Sequence, residues 1–429
     1  MLDINFIREN QNKVRKAIEQ KKAKVDFEKL LTLDNQRREL IKTIEDLRQQ
    51  RNVAASNKDI EKGKGIKGKL EGLEVQLKEV ETKFDEQMIL VPNVIMEDVP
   101  EGVDESGNQV IRKWGEPKSF TFTPKDHIEL GKILDVIDID TASKVAGTRF
   151  AYLKNEVVLL QFAIIQYTFQ ILAKEPILKD IAEKIEPGYN PKPFVPVLPP
   201  DMVRPDVYTK MARLDPFQAE ERYYLASDDL YLIGSAEHTL GPIHMDQIIE
   251  EKNLPLRYVG YSTSFRREAG SYGRDTKGII RVHQFDKIEI ESFTLPEHSV
   301  KEQNFIVAIQ EYLLQSLNLP YQVVMICTGD MGGPDARQLD IETWMPGQGK
   351  YRETHTSDLI TDYQARRLKT RVKRKDGKIE LVHMNDATAF ALGRIIVAIL
   401  ENFQQADGSV IIPEVLRPFT GFSEIKPKD

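Results

Sequence analysis

The spacing of apolar side chains divides the chain into two unlike regions. From Phe27 to about Ser56, Leu33, Leu40 and Leu47 recur every seven residues, with Leu30 and Ile44 on the same side. From Ile66, the residues Leu70, Leu73, Leu77, Val80, Phe84 and Met88 follow at steps of four, three, four, three, four and four, close to a heptad seam. Between these runs lies NKDIEKGKGIKGK, glycine-rich and charged, which predicts a reversal. Two helices and a turn make an antiparallel coiled-coil hairpin over about 27–90, an arm of about 45 Å at a rise of about 1.5 Å per residue. After Val91, VPNVIMEDVPEGVDESGNQVIRKWGEP has prolines, glycines and acids without a period and predicts a linker.

The remainder, from near residue 115, has a different texture. RFAYLKNEVVLLQFAIIQYTFQILAKE predicts a short strand and then a long apolar helix, and PKPFVPVLPPDMV an extended segment. YYLAS, LYLIGS and LRYVGYSTSFRR predict strands, and alternation from Ile279 to Phe293 predicts another, of the antiparallel kind. A helix over 297–317, strands at YQVVMIC and QLDIETWM, and helical spacing through ATAFALGRIIVAILENFQQ complete the pattern. Without regular βαβ alternation, the expected fold class is α+β with an antiparallel sheet. The predicted domains are a helical one over 1–110 and a larger one over 111–429.

Composition narrows the classes. A chain of 429 residues with 41% hydrophobic and 30% charged residues has material for two or three domains. No apolar run approaches the roughly 20 residues of a membrane span. The polar start MLDINFIRENQNKVRK and a single cysteine, Cys327, predict a cytoplasmic location and no intrachain disulfide. Cys327 itself reads as a small buried hydrophobe. Seven histidines without HExxH, and no CxxC pair, predict no zinc site. A net charge of −7 argues against a sheath for nucleic acid but leaves room for a local basic face. The first helices carry Lys13, Arg15, Lys16, Lys21, Lys22, Lys24, Lys29, Arg37, Arg38, Lys42, Arg48 and Arg51. They are either a solvated coiled-coil exterior or a surface for phosphates, whose binding would weaken with salt.

Candidate chemistry concentrates in FRREAGSYGRDTKGIIRVHQFDKIEIESFT, residues 265–294, with Arg266, Arg267, Arg274 and Arg281. Arginine in place of lysine suits planar, bidentate recognition of phosphate or carboxylate. Two strands joined by EAGSYGRDTKG place Arg266 and Arg281 on neighbouring strands and Glu268 near the loop mouth. Phe285 offers a flat face to a ring. Arg394 follows Gly393 on an apolar helix and needs Glu401, another acid or a ligand phosphate as partner. Glu237, Glu289 and Glu353 fall on strand-like segments; acids beside a phosphate site imply a divalent cation, and Glu353 with Thr356 resembles a hard oxygen site.

Together these stretches resemble the bacterial-type seryl-tRNA synthetases, a family of class II aminoacyl-tRNA synthetases, over essentially the whole chain. FRREAGSYGRDTKGIIRVHQFDKIE is similar to motif 2, LGRIIVAILENFQQADGSVIIPEVLRPF to motif 3 and the tail, and Arg149 to Pro200 to motif 1, with Pro199 or Pro200 as its proline. SAEHTL, YRETHTSDLITDYQARR, MLDINFIREN and the hairpin also fit. The resemblance implies activation of serine with ATP, release of pyrophosphate, and transfer of serine to the terminal ribose of its tRNA. It implies that Arg266 holds the α-phosphate and the serine carboxylate, and that Glu268 meets the adenine amino group. Phe285 and Arg394 would sandwich the adenine, with Arg394 reaching the γ-phosphate, and Arg267, Arg281, Val282, Thr354 and His355 complete the ATP set. Glu353 and Thr356 would hold magnesium. Ser235 and Glu237, with Ala236 between them, would receive the serine amino group, and Glu289 and Thr388 its hydroxyl. The arm would bind serine tRNA, and selenocysteine tRNA where the host has one. A homodimer is implied.

Three positions depart from the family pattern: Ser235 stands where threonine is usual, Asp386 where asparagine is usual, and THTSD replaces a serine-cysteine-serine run. Two other readings share the motifs: a paralogue serving another amino acid or acceptor, and a silent tRNA-binding homologue. Arg266, Glu268, Glu353 and Arg394, together with the basic arm, favour the ligase.

Overall fold

A computed structural model describes residues 1–214, 218–269 and 278–428. Arg274 lies outside the described residues. The chain forms two compact units, Met1–Val94 and Ile95–Asp429.

The first unit is helical: α1 (Ile4–Glu9), α2 (Gln11–Gln20), α3 (Phe27–Ser56) and α4 (Ile60–Leu90). Side chains of Asp26 and Asp59 cap α3 and α4 by accepting the N–H groups of Lys29 and Lys62. Ile44, Ile66 and Leu70 are buried in the seam between the two long helices, with Leu47, Leu73 and Leu77 packed beside them. The expected reversal is confined to the few residues before Ile60, and Gly63, Gly65, Gly68 and Gly72 are helical. Each glycine costs about 1 kcal/mol relative to alanine in a helix. The cap and the seam outweigh that cost, which spacing and composition alone do not reveal. Arg37 and Arg48 reach across the hairpin to Glu81 and Glu74, at 3.1 and 2.9 Å.

The second unit is built on an eight-stranded sheet. Its strands are β1 (Gln109–Trp114), β2 (Val195–Val197), β3 (Leu256–Phe265), β4 (Gln284–Thr294), β5 (Tyr321–Met325), β6 (Arg337–Met345), β7 (Lys350–Thr361) and β8 (His383–Ala391). The order is β1-β5-β6-β7-β8-β4-β3-β2. All pairs are antiparallel except β2 with β3. The expected linker is thus in part an edge strand: β1 pairs with β5, and Val99 packs with Val324, Ile326 and Met331. These contacts draw residues from Ile95 onward into the second unit, before the boundary at residue 110 that composition suggests.

Two more expectations change. The strand expected from Ile279 starts only at Gln284, so Arg281 precedes the strand. The helical run expected from Ala387 is strand β8 up to Ala391, and helix α8 (Leu392–Phe403) follows without a break. Small apolar residues fit either state, and pairing with β4 and β7 decides for the strand.

Helices α5 (His127–Ile133), α6 (Asn155–Leu172), α7 (Ser299–Ser316) and α8 supply much of the core around Leu160, Ile164, Phe305, Ile309, Ile396 and Leu400. No single helix among the described residues is long and apolar enough to cross a membrane. Gln303 and Gln310 of α7 donate to carbonyl oxygens of β6, β7 and β8, which locks the helix to the sheet. Fully buried Arg257 of β3 forms a two-pronged pair with Glu302 of α7, at 2.6 and 2.8 Å, and donates to the carbonyls of Asn190 and Lys192. Removing one partner of such a pair strands the other charge in the core. Glu302→Ala is expected to cost about 3–5 kcal/mol of stability in urea denaturation; a cost under about 1 kcal/mol would contradict this account.

Candidate active site

Period two along β4 sorts its side chains. Ile288 and Ile290 enter the core and Ser292 donates to Glu302, whereas Phe285, Lys287 and Glu289 line a cavity of about 500 Å³. Beside β4, Thr388 and Asp386 of β8 line the same cavity, and Thr388 stands opposite Glu289. From β7 come Glu353, Thr354, Thr356 and Asp358. Residues three apart on a regular strand face opposite ways. Here the register shifts between Glu353 and His355, and this bulge puts Glu353 and Thr356 on one cavity.

Arg266 follows β3 directly. Its Nε donates to the Gly234 carbonyl at 3.0 Å, and its guanidinium lies 5.2 Å from the centre of the Phe285 ring. Burial and neighbouring Arg222 pull its pKa down. Arg281 donates to Glu268 at 2.8 Å, and Glu268 adopts φ 53°. Left-handed backbone at a side chain this large carries strain of about 1 kcal/mol or more, consistent with a functional position. Arg394, in the first turn of α8, donates to the Glu353 carbonyl and carboxylate, both at 2.9 Å. Glu353, not Glu401, is therefore the acid that meets Arg394. Thr356 donates to Asp340 of β6 at 3.0 Å.

A more buried group of side chains lines the same cavity. Ser235 donates to Glu289 at 2.8 Å, Thr388 donates to the same oxygen at 3.4 Å, and Lys287 is paired with it. Burial raises the Glu289 pKa. Glu237 lies in a short helix, Glu237–Leu240, not on the expected strand, and accepts from Arg213 at 2.6 Å. Arg213 also stands 3.5 Å from Asp386, 3.8 Å from Asp358 and 3.9 Å from Asp335. Strand pairing sets Glu291, Asp386 and Asp358 opposite one another on β4, β8 and β7. Burial first, and acidic neighbours second, raise all three well above the usual carboxylate range. Neither oxygen of Glu291 has a hydrogen-bond partner among the described residues. Burial alone would lower the Arg213 pKa, but the surrounding acids hold it well above its ordinary value.

The cavity thus gathers Glu237, Arg266, Glu268, Arg281, Val282, Phe285, Glu289, Glu353, Thr354, Thr356, Thr388 and Arg394. Ser235 and Ala236 are buried behind it. Arg267 and His355 do not line it. Arg267 lies over Tyr223, 5.2 Å from the ring centre. His355 is fully buried against Phe390, hydrogen-bonded to Thr354, and its pKa is depressed by burial to about 3. Sequence reasoning missed Arg213, Arg222, Lys287 and Asp340. Lys287 had a signal, the two-residue step from Phe285 and to Glu289. Arg213 had none, because the fold alone brings it to the acids.

The chain is similar to known proteins along its whole length. Residues 1–95 match the family model of the seryl-tRNA synthetase N-terminal domain, and residues 218–403 match the tRNA synthetase class II core domain (G, H, P, S and T). A serine–tRNA ligase of Dictyoglomus turgidum is 40% identical over 444 residues, covering 100% of both chains. The crystal structure of seryl-tRNA synthetase from Pyrococcus horikoshii complexed with ATP is similar at a TM-score of 0.89, with 39% identity and 100% of both chains covered. A cytoplasmic serine–tRNA ligase from Naegleria fowleri, solved in complex with AMP, gives a TM-score of 0.86 at 29% identity, covering 100% of this chain and 99% of that one.

The acid row makes the ligand-free protein sensitive to pH. A carboxyl with a raised folded pKa keeps its proton where the unfolded chain has lost it, so folding loses stability as pH rises from about 4 toward the raised value. Asp386→Asn is expected to remove one such group. Its stability gain over the parent should be near zero at pH 4 and grow by up to about 1.4 kcal/mol per pH unit above it, in urea denaturation across that range. A gain that does not change with pH would contradict the assignment.

Proposed function

The chain belongs to the seryl-tRNA synthetase family and is an ATP-dependent serine–tRNA ligase, and we propose that the 500 Å³ cavity is where it forms seryl-adenylate. The reaction needs little proton transfer. A serine carboxylate oxygen attacks the α-phosphorus of ATP, the bond from that phosphorus to the bridging oxygen breaks, and pyrophosphate leaves with the electron pair. A ribose hydroxyl of the tRNA terminus then attacks the activated carbonyl, the bond from that carbon to the phosphate oxygen breaks, and AMP leaves with the electron pair while its phosphate takes up the hydroxyl proton. Such chemistry rests on in-line positioning and on stabilising charge at phosphorus.

The observation that carries this reading is the pairing of the cavity's arginines. Arg394 is matched to Glu353 and Arg281 to Glu268, contacts that a bound nucleotide can replace. Arg266 would stabilise the α-phosphate and serine carboxylate, Glu268 would accept from the adenine amino group, and Phe285 and Arg394 would enclose the ring. Arg267, Arg281, Val282, Thr354 and His355 would support the nucleotide from around these groups. Among the more buried side chains, Glu237 and Ser235 would receive the serine ammonium, with Ala236 between them. Glu289 and Thr388 would bond its hydroxyl, a contact that alanine cannot make.

Among the described residues no group of three or more His, Cys, Asp or Glu side chains is poised to hold a metal ion. The donors Glu353 and Thr356 are nonetheless hard oxygens on the cavity, which suits a magnesium ion that keeps water and phosphate ligands. They would hold it, and it would supply charge neutralisation for the phosphates.

Two further features belong to this reading. Lys29, Arg38, Lys42 and Arg51 are exposed on α3 and are offered to tRNA phosphates, which makes residues 1–94 the tRNA-binding unit and 95–429 the catalytic one. Leu159, Phe162, Val195 and Leu198, each at least 52% exposed, lie in the segment similar to motif 1 and would be covered by a second copy. The enzyme would work as a cytoplasmic homodimer.

The direct test is serine esterification to serine tRNA; no acceptor activity would contradict the reading. Arg266→Ala is expected to lower serine-dependent exchange of pyrophosphate into ATP by about 10²–10³-fold. Changing Lys29, Arg38, Lys42 and Arg51 together to glutamine should leave that exchange intact. It should weaken tRNA binding by about tenfold or more and flatten its salt dependence. Unchanged tRNA affinity would remove the role of the arm.

A further inference from the structure

His127 stands at the start of α5 and is 3% exposed. It is not part of the cavity, yet it grips the cavity's wall. Its Nδ1 lies 3.2 Å from Oε1 of Glu401, and its backbone N–H donates to the same oxygen at 3.1 Å. A carboxylate oxygen accepts, so the ring hydrogen sits on Nδ1 and Nε2 offers a lone pair. That lone pair accepts the backbone N–H of Ile279 at 3.3 Å. Glu401 is itself fixed: it is fully buried and its Oε2 accepts the N–H of Gly347 at 2.9 Å.

The contact is close on the other side too. Gly278 has φ +76°, and a Cβ there would fall 1.9 Å from His127 Nε2. The ring occupies the space that any side chain at position 278 would need. The gripped backbone continues into Ile280, Arg281 and Val282, all on the cavity. Arg394 Nε approaches the Ile280 carbonyl at 3.5 Å, and Gly393 lies under the Ile279 carbonyl. Helix α8 therefore serves both ends: Arg394 faces the cavity from its first turn, and Glu401, seven residues on, holds the anchor.

We propose that His127, held by Glu401, is a positioning residue for the nucleotide: it fixes the Gly278–Ile280 backbone and with it the wall bearing Arg281 and Val282. This rests on reading the cavity as the ATP site. Serine contacts lie on Arg266, β4, β8 and the Ser235–Glu237 segment, whereas the hydrogen bonds of His127 go to Glu401 and Ile279, so its loss falls on ATP and spares serine.

The test is steady-state pyrophosphate exchange by the full-length protein, with ATP and serine varied separately. His127→Leu removes the acceptor at similar volume. It is expected to raise KM for ATP about tenfold, as about 1.4 kcal/mol would, with KM for serine within about twofold. His127→Gln, which can return an acceptor near Nε2, is expected to recover most of that loss. A purely structural role would lower the active fraction and hence kcat, leaving KM for ATP in place. An unmoved KM for ATP, or equal rises for ATP and serine, overturns the proposal. Should His127→Leu fail to fold, Gly278→Ala presses a methyl against the ring from the other side and is expected to give the same ATP-selective rise; its absence overturns the proposal equally. A parent protein without serine-dependent exchange would instead remove the ATP reading, and this proposal with it.

Discussion

Charge that is buried must be matched, and the cavity proposed as the active site is organised around that constraint. Strand pairing fixes Glu291, Asp386 and Asp358 side by side on three adjacent strands. The protein meets the resulting repulsion in two ways. Arg213 is placed among Glu237, Asp335, Asp358 and Asp386, and the carboxyls that it cannot match are driven toward their neutral form. Nearer the mouth the excess is of the opposite sign, and Glu353 and Glu268 answer Arg394 and Arg281. A substrate with an ammonium at one end and an activated phosphate at the other matches this division: cation toward the acids, anion toward the arginines.

The same constraint explains how little conventional acid–base apparatus the site contains. His355 is buried with a strongly lowered pKa, and His238 is also held well below its ordinary range, by burial first and then by Arg222, Arg213 and Arg266. Neither is tuned to titrate near neutrality as a general base would be. On the proposed reading, catalysis falls instead to rigid charge placement. Rigidity comes from the sheet, from the glutamine bonds of α7, and from the His127–Glu401 contact that closes the far wall.

Much of this was legible in the chain, and the limits have physical causes. The seam leucines define the arm because a 3.5-residue period has no other stable use at that length. Period two located β4 and its cavity-facing Phe285 and Glu289. Local pattern failed where pairing overrode propensity, at Ala387–Ala391, and where apolar residues continued past a strand's end, at Ile279. It failed again at Arg213 and Asp340, whose meaning depends on partners distant in sequence. The Glu353–Thr356 pair was found, but its sharing of one cavity depends on a bulge that spacing cannot disclose. Asp386 stood out as a departure, and the register shows it facing the cavity where adjacent Asn385 does not.

The central claim is that this polar chamber selects serine for adenylate formation. The most direct measurement is amino-acid-dependent exchange of labelled pyrophosphate into ATP, with serine, threonine, alanine and glycine compared in parallel on the intact protein. The account predicts strong exchange with serine and far weaker exchange with the others, because alanine and glycine bring no hydroxyl to bond Glu289 and Thr388 and threonine adds a methyl group. Preference for another amino acid, or no exchange with any of the four by folded protein, would contradict it.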